Sequence, residues 1–435
     1  MAVKTQNLEA QRRFNLWGGV MVGICFITGI IAYGGGRYSF GVFMKPMSEA
    51  LGWTRTEMSL GATINLITYA VASPFIGRMM DTLGIKVAML AGTAIAGLGL
   101  CAMYFVNSLW MFYLLYGVAA ALGVNMVGRI AQATIVANWF VARRGLMLGI
   151  TALSIGLGTA VMAPAANAVL HGVGWQMAFL FLGGTFFVFV FLPVALLING
   201  KGRPEDRGFG PDGLPLDVAG VYGALGRQRI DSLDDWSVAE ALRTVALWGI
   251  FLAMGLSYMA DYVVLFHGVA AFEDRGVSPA TAASILSVAT LVSCVGRLGF
   301  GWLADRLDVR MCMALMFGIQ IVSAPLIIWG GTSVLMLYSF GAVWGIGYGA
   351  LATLMPAISS QYFGRRNFGA IYGWITMATV LGGAVGSTFG GWVYDTRGSY
   401  DMAWYACIGM WAVALVIVYA MGRRPERKPA GASPN

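Results

Sequence analysis

The sequence predicts an all-α, polytopic membrane protein with twelve transmembrane helices. Of its 435 residues, 58% are hydrophobic and only 11% are charged, whereas a soluble protein carries about 25% charged residues. The apolar residues form runs long enough to cross a bilayer, since about 20 of them span its hydrocarbon core. The polar, basic start MAVKTQNLEAQRRFN leads into a full span, which indicates that no signal peptide is cleaved.

The apolar windows fall into two blocks of six helices separated by one long polar insert. We predict an N-terminal bundle at 1–198, a cytoplasmic central loop at 199–243, and a C-terminal bundle with a short basic tail at 244–435. Thr54 opens a capping box before predicted helix 2, and Ser278 caps helix 8. The predicted helices are 15–43, 57–78, 86–106, 109–138, 145–168, 175–198, 244–272, 279–303, 311–330, 333–357, 367–392 and 401–421.

The basic residues predict that both termini are cytoplasmic. With that orientation most of the 28 Lys and Arg residues lie in inner loops, tails and the insert, while Arg37, Arg129 and Arg297 lie inside helices. This placement explains most of the net charge of +8, so the charge does not indicate nucleic-acid binding. The five cysteines lack a metal-like spacing and the two histidines are few, so we expect no metal and no cofactor.

The two blocks repeat in register. Gly301 follows Gly77 by 224 residues, as Asp305 follows Asp81, and each pair belongs to a similar loop after the second helix of its block. Two six-helix halves in the same orientation are typical of the major facilitator fold, whose binding site lies near the midplane between the halves. The spacing Gly77-x-x-x-Asp81-x-x-Gly84 also resembles the loop signature of that superfamily. Asp81 and Asp305 are therefore predicted to hold the cytoplasmic side during gating.

Other motifs resemble those of monocarboxylate transporters and the related oxalate/formate antiporters. The segment from Arg37 to Phe43 is similar to the first helix of the monocarboxylate transporters, which place a functional lysine where Arg37 stands. Arg297 matches a substrate-binding arginine that both families share, and Trp344-Gly-Ile-Gly-Tyr348 resembles the aromatic pair on helix 10 of the antiporters. The antiporters' second cation, a lysine in helix 11, has no equivalent here.

The resemblance implies that Arg297 binds an anionic substrate, because a guanidinium meets both oxygens of a carboxylate at once. Arg129, near mid-depth in predicted helix 4, either pairs with backbone carbonyls or binds a second anionic group of the substrate. Arg37 is a further candidate on helix 1. Residues on the helices expected to line the cavity are either packing or substrate-binding groups: Asn125, Tyr262, His267, Trp344 and Tyr348, with Tyr38 and Tyr258 beside them.

Asp261 is the predicted proton carrier. It follows Arg37 by 224 residues, so the two occupy equivalent positions on helices 7 and 1, which face one another in this fold. An ion pair between them either fixes the packing permanently or opens when Asp261 is protonated, which would couple proton movement to alternating access.

These features predict a secondary transporter of small organic monocarboxylates, coupled to protons, in a bacterial inner membrane. Its expected partners are the anion, a proton and the lipid bilayer, with one chain as the functional unit and no nucleic acid. Exchange of mono- and dicarboxylates is the alternative, favoured by the three arginines in helices, and drug or metabolite efflux is a third hypothesis. No nucleophile–base pair in the sequence supports an enzyme.

Overall fold

The computed structural model describes residues 2–38, 40–214 and 236–422, with the side chains of 2–10, 37, 38 and 55 excepted. Within these residues the chain forms helices, turns and loops, and twelve helices are long and apolar enough to cross a membrane. All twelve predicted helices are therefore present. We number them α1 (Gln11–Leu51), α2 (Thr56–Leu83), α3 (Ile85–Phe105), α4 (Leu109–Trp139), α5 (Arg144–Val173), α6 (Trp175–Leu197), α7 (Val245–Asp274), α8 (Pro279–Ala304), α9 (Val309–Ile328), α10 (Val334–Phe363), α11 (Phe368–Arg397) and α12 (Asp401–Ala420).

Helices α1 and α4 are irregular near their middles. In α1 a π-helical stretch, Ile30–Tyr38, follows the α-helical turns, and α4 contains another at Tyr113–Ala120. Helix α4 also breaks at Gly128, whose backbone leaves the helical region at φ −84° and ψ −136°. π-helical turns and breaks of this kind are frequent at functional sites. The break sets the next residue, Arg129, at the start of a new helical segment.

The two halves, α1–α6 and α7–α12, meet along two helix crossings. Helix α2 packs on α11, and α5 packs on α8. Both crossings bring backbones together through small residues, as is usual where helices pack closely in membranes. A Cβ atom added to Gly77 would overlap the carbonyl of Gly369, and one added to Gly145 would overlap the carbonyl of Gly301. The halves are thus in close contact at the end of the molecule that carries Asp81 and Asp305.

The chain after α6 folds back onto the first half. Two short 3₁₀ turns, Pro204–Arg207 and Pro211–Gly213, lie in this segment. The indole Nε1 of Trp139 donates to the carbonyl of Gly202 over 2.9 Å, and the carboxylate of Asp212 accepts from the backbone N–H of Val141 and Ala142. Residues 199–214 therefore form a strap on the α4–α5 loop.

On the other side of residues 215–235, which lie outside the described part, the chain resumes against the second half. The backbone N–H of Trp236 donates to the carbonyl of Phe363 over 3.2 Å, and Asn367 donates from its amide to the carbonyl of Trp236 over 2.8 Å. A short helix, Val238–Leu242, then leads into α7. The division into 1–198, 199–243 and 244–435 stays a prediction, because much of the predicted loop falls in 215–235.

Candidate functional site

Arg129 lies between the two halves. Its Nη1 donates a hydrogen bond of 2.8 Å to the hydroxyl oxygen of Tyr258 on α7, and its guanidinium carbon lies 5.8 Å from the centre of the same ring. Because Arg129 belongs to α4 in the first half, this bond joins the halves near the middle of the bundle. The break at Gly128 places the arginine there.

Arg129 also borders two cavities, each lined by both halves. The first has an empty volume of about 330 Å³ and is lined by Tyr33 and Tyr69 from the first half and Tyr258 and Tyr262 from the second. The second has an empty volume of about 270 Å³. Its polar lining residues beside Arg129 are Gln132, Thr151 and Tyr372. These volumes include space that is open to solvent, and in the described state each cavity has room for about one water molecule beside Arg129.

The charge at these cavities favours an anion. Among the described residues that line them, Arg129 is the one with a charged side chain, and the other polar groups are hydroxyls and one amide. A guanidinium in a largely enclosed site interacts more strongly with a carboxylate than it would in water. Tyrosine hydroxyls can donate further hydrogen bonds to such a ligand.

Arg297 lies on α8 against α5 and is only 5% exposed. Its Nε and Nη1 have no hydrogen-bond partner among the described residues, and its Nη1 would lie 3.4 Å from a Cβ atom added to Gly156 on α5. Helix α5 supplies Thr151 and Ile155 to the wall of the second cavity. Arg297 thus packs on the helix that walls the second cavity, with donors that lack a partner in this part of the chain.

Asp261 lies in the interior of the second half and is fully buried. Its Oδ1 accepts hydrogen bonds from Gln320 Nε2 at 2.9 Å and from Trp344 Nε1 at 3.1 Å, and Ser257 Oγ lies 3.4 Å from Oδ2. These partners come from α9, α10 and α7. The side chain of Arg37 lies outside the described residues, so the predicted pair of Arg37 with Asp261 stays a prediction.

His267 and Asn125 each bond within a single half. The Nε2 of His267 lies 2.7 Å from the carbonyl oxygen of Ser387 on α11, and its Nδ1 lies 3.3 Å from the hydroxyl of Tyr400. The amide nitrogen of Asn125 donates to the carbonyl of Tyr69 at 2.7 Å and to Ser73 Oγ at 2.9 Å.

The remaining aromatic candidates divide between the cavity and the interior. Tyr262 lines the first cavity. Trp344 is buried against Asp261. The ring of Tyr348 stacks on the ring of Trp344, with ring centres 5.0 Å apart. Of the predicted candidates with described side chains, Arg129, Tyr258 and Tyr262 are the ones that line the two cavities. The side chain of Tyr38 lies outside the described residues.

The two predicted gating residues each reach across to the opposite half. Asp81 accepts from the backbone N–H groups of Gly369 and Ala370 at 3.1 and 2.8 Å. Asp305 accepts from those of Gly145 and Leu146 at 2.6 and 3.0 Å. These N–H groups lie in the first turns of α11 and α5, where a helix has unpaired donors and favours negative charge.

The surroundings of Asp305 change the pKa of its carboxyl group. Burial raises the pKa of Asp305 above its ordinary value, whereas the N–H groups of Leu146 and Gly145 and the guanidinium of Arg144 act to lower it. The bonds to α5 are strongest when the carboxyl is ionised, because both of its oxygens then accept.

Sequence reasoning gave no role to several residues of this region. Tyr33, Tyr69 and Tyr372 line the cavities, but the residues 224 positions away are serine, serine and leucine, so the repeat does not single them out. Gln320 was also missed, although a glutamine within the otherwise apolar α9 is a detectable signal.

Comparisons with known proteins agree with this architecture. The family model of the Major Facilitator Superfamily matches residues 26–272 and 250–435. The oxalate:formate antiporter of Oxalobacter formigenes is 24% identical over 94% of this chain and 92% of its own length. Monocarboxylate transporter 13 of Rattus norvegicus is 25% identical over 88% of this chain and 84% of its own.

Solved structures give the same fold. The transporter FucP in the outward conformation superimposes with a TM-score of 0.66 at 16% identity, covering 92% of this chain and 98% of its own. The proton:xylose symporter XylE, bound to 6-bromo-6-deoxy-D-glucose, does so with a TM-score of 0.66 at 12% identity, covering 93% and 96%. At these identities the likeness establishes the fold.

Proposed function

We propose that this chain, which belongs to the Major Facilitator Superfamily, carries small organic monocarboxylates across the membrane together with protons. As a multi-pass membrane transporter of that family, it binds a small molecule between its two halves and moves it across the membrane. The observation that carries the proposal is Arg129, the charged residue among the described lining of two small cavities between the halves. Its relatives include transporters named for monocarboxylates and for oxalate and formate.

Arg129 is the proposed primary contact of the carboxylate. It borders both cavities, and Tyr33, Tyr69 and Tyr258 line the first. Arg297 is the proposed second cation, because its donors lack a partner among the described residues and it packs on a wall of the second cavity. Two guanidinium groups from different halves would make the closure of the halves depend on the anion.

Asp261 is the proposed proton carrier. The three neighbouring groups that hydrogen-bond with it, from Gln320, Trp344 and Ser257, are neutral, so a negative charge on this buried carboxyl has no cation among these partners. Trp344 ties it to α10, so a change in its charge would alter how α7 and α10 pack. Protonation of Asp261 would thereby change the wall of the transport path.

The conformation supports alternating access. The halves touch at the end with Asp81 and Asp305, which the basic residues predict to be cytoplasmic. A transporter of this fold must break those contacts to open that end. The described state is therefore proposed to be closed towards the cytoplasm.

Uptake into proteoliposomes tests the proposal. With an inward proton gradient, we expect labelled lactate, formate or a similar small carboxylate to accumulate, and Arg129→Ala to reduce that uptake by roughly tenfold to a hundredfold, as the loss of hydrogen bonds to a charged group predicts. Arg275→Ala is a matched control, since Arg275 pairs with Asp401 at the C-terminal end of α7, away from the two cavities. Uptake by wild type of neutral sugars but of none of the carboxylates would contradict the proposal.

Exchange of organic anions is the second candidate. It is favoured by the presence of two arginines, Arg129 and Arg297, near one site, and by the relative named as an oxalate:formate antiporter. Counterflow without a proton gradient separates the two. Symport predicts that a pH gradient alone drives net uptake and that Asp261→Asn abolishes this drive. Uptake that needs carboxylate on the far side, and that ignores the pH gradient, would favour exchange.

A further inference from the structure

The hydrogen bond from Arg129 to Tyr258 differs from the other contacts between the halves. The bonds of Asp81 and Asp305, and the one from Arg365 Nη1 to the carbonyl of Asn138, close one end of the molecule. The bond to Tyr258 lies at the cavities themselves, and both residues line the first one. It therefore joins the halves at the place where a ligand would bind.

Arg129 needs an acceptor whether or not a substrate is present. Enclosing a cation without a hydrogen-bond partner is unfavourable, and none of the described residues that line the two cavities is a carboxylate. The oxygen of Tyr258, at 2.8 Å, provides a neutral acceptor, and the face of its ring is a weaker one. A carboxylate is the stronger acceptor, so a bound substrate would compete for the same N–H.

We propose that Tyr258 takes the place of the substrate's carboxylate on Arg129 in the empty transporter. The hydroxyl comes from the opposite half, so it lets the halves close over a cavity without cargo. A transporter that can close when empty can return without cargo and produce net transport. One that cannot is limited to exchange. Tyr258 is thus a positioning residue that sets the balance between net transport and exchange, and this role rests on the proposed function of Arg129.

The substitution Tyr258→Phe tests this role because it removes the acceptor oxygen and keeps the ring. In proteoliposomes we expect net uptake to fall roughly tenfold, as expected for a lost hydrogen bond to a charged group. Counterflow, with saturating carboxylate on both sides, does not require the empty transporter to return, so it should fall far less. Tyr113→Phe is the control, since it deletes a hydroxyl that donates to the carbonyl of Glu57 away from the cavities.

Equal loss of net uptake and counterflow in Tyr258→Phe would overturn the proposal, because the hydroxyl would then be needed in the loaded transporter. Net uptake by Tyr258→Phe at the wild-type rate would overturn it as well. If wild type shows neither activity with any carboxylate, the proposed function fails, and the effect on the empty protein is then decided by a separate measurement.

That measurement is the distance between spin labels at positions 49 and 273, which are exposed on the two halves at the end opposite Asp81 and Asp305. Without substrate, wild type should populate a short distance, in which this end is closed, as well as a long one. Tyr258→Phe should lose the short distance and regain it when carboxylate is added. The same distribution in both proteins without substrate would contradict the role of Tyr258.

Discussion

The α2–α11 crossing and the α5–α8 crossing are two copies of one contact. In each, a glycine pair brings the backbones together and an aspartate one turn further on accepts from two N–H groups of the opposite helix. The residues correspond at a separation of 224, so that Gly77 matches Gly301 and Gly369 matches Gly145. This part of the repeat has been kept on both sides of the molecule.

One turn on the other side of the glycines, the two crossings differ. The α2–α11 crossing has Ser73, whose hydroxyl oxygen accepts from Asn125. The α5–α8 crossing has Arg297 at the equivalent place, with two nitrogens that lack a partner among the described residues. Likewise Arg129 on α4 corresponds to Thr353 on α10, whose hydroxyl donates to the carbonyl of Arg297 at 3.1 Å.

The difference teaches which parts of the molecule are structural. Contacts that both crossings share close the end of the bundle, and they need only a short distance between backbones and a carboxylate at a helix start. Among the described side chains, the two arginines deep within the helices, Arg129 and Arg297, are found where the repeat is broken, one in each half and at positions that do not correspond. A site for one asymmetric substrate requires that asymmetry, because a perfectly repeated site would present the same groups from both sides.

The largest effect is expected where the two crossings are alike. Gly77→Val and Gly145→Val each place a side chain against a carbonyl of the opposite half, so the closed end cannot form and uptake should fall to background in both. Gly299→Val, on α8 with open space around it, should retain uptake. A variant that stays monodisperse and still transports normally would show that the glycine contact is dispensable.

A smaller effect is expected where the crossings differ. Arg297→Ala should lower carboxylate uptake roughly tenfold or more, whereas Ser73→Ala at the equivalent position should change it by about twofold at most. The rise in melting temperature caused by saturating carboxylate should shrink in Arg297→Ala, since ligand stabilisation follows RT ln(1 + [L]/Kd). A lower melting temperature with an unchanged ligand-induced rise would instead assign Arg297 to packing.

The smallest effect is expected from Asp81→Asn and Asp305→Asn. Asparagine keeps one acceptor oxygen but loses the charge that favours a helix start, worth typically about 0.3–1 kcal/mol. Each should therefore reduce the closed population about two- to fivefold, measured as the accessibility of a cysteine at that end to a water-soluble reagent. The two changes share no hydrogen-bond partner, so their effects should add. Strongly unequal effects would contradict the equivalence of the crossings.

Much of the fold could be predicted from the sequence, because membrane spans and a repeated loop motif are visible in one chain. All twelve helices are present. Asp81 contacts the second half of the molecule, and Asp305 contacts the first. The helix starts that receive them could not be predicted, since apolar runs do not reveal which faces cross. For the site, Arg129 and Tyr262 were among the candidates, whereas the positions of Gln320 and Tyr372 depend on helix rotation.

The strap of residues 199–214 changes what counts as the tether between the halves. Because Asp212 is bonded to the α4–α5 loop and Trp236 to Phe363, the chain that links the two bundles runs from 215 to 235. In a transporter assembled from two separate polypeptides, the natural place for the break is therefore within this interval, so that the first fragment keeps its own strap.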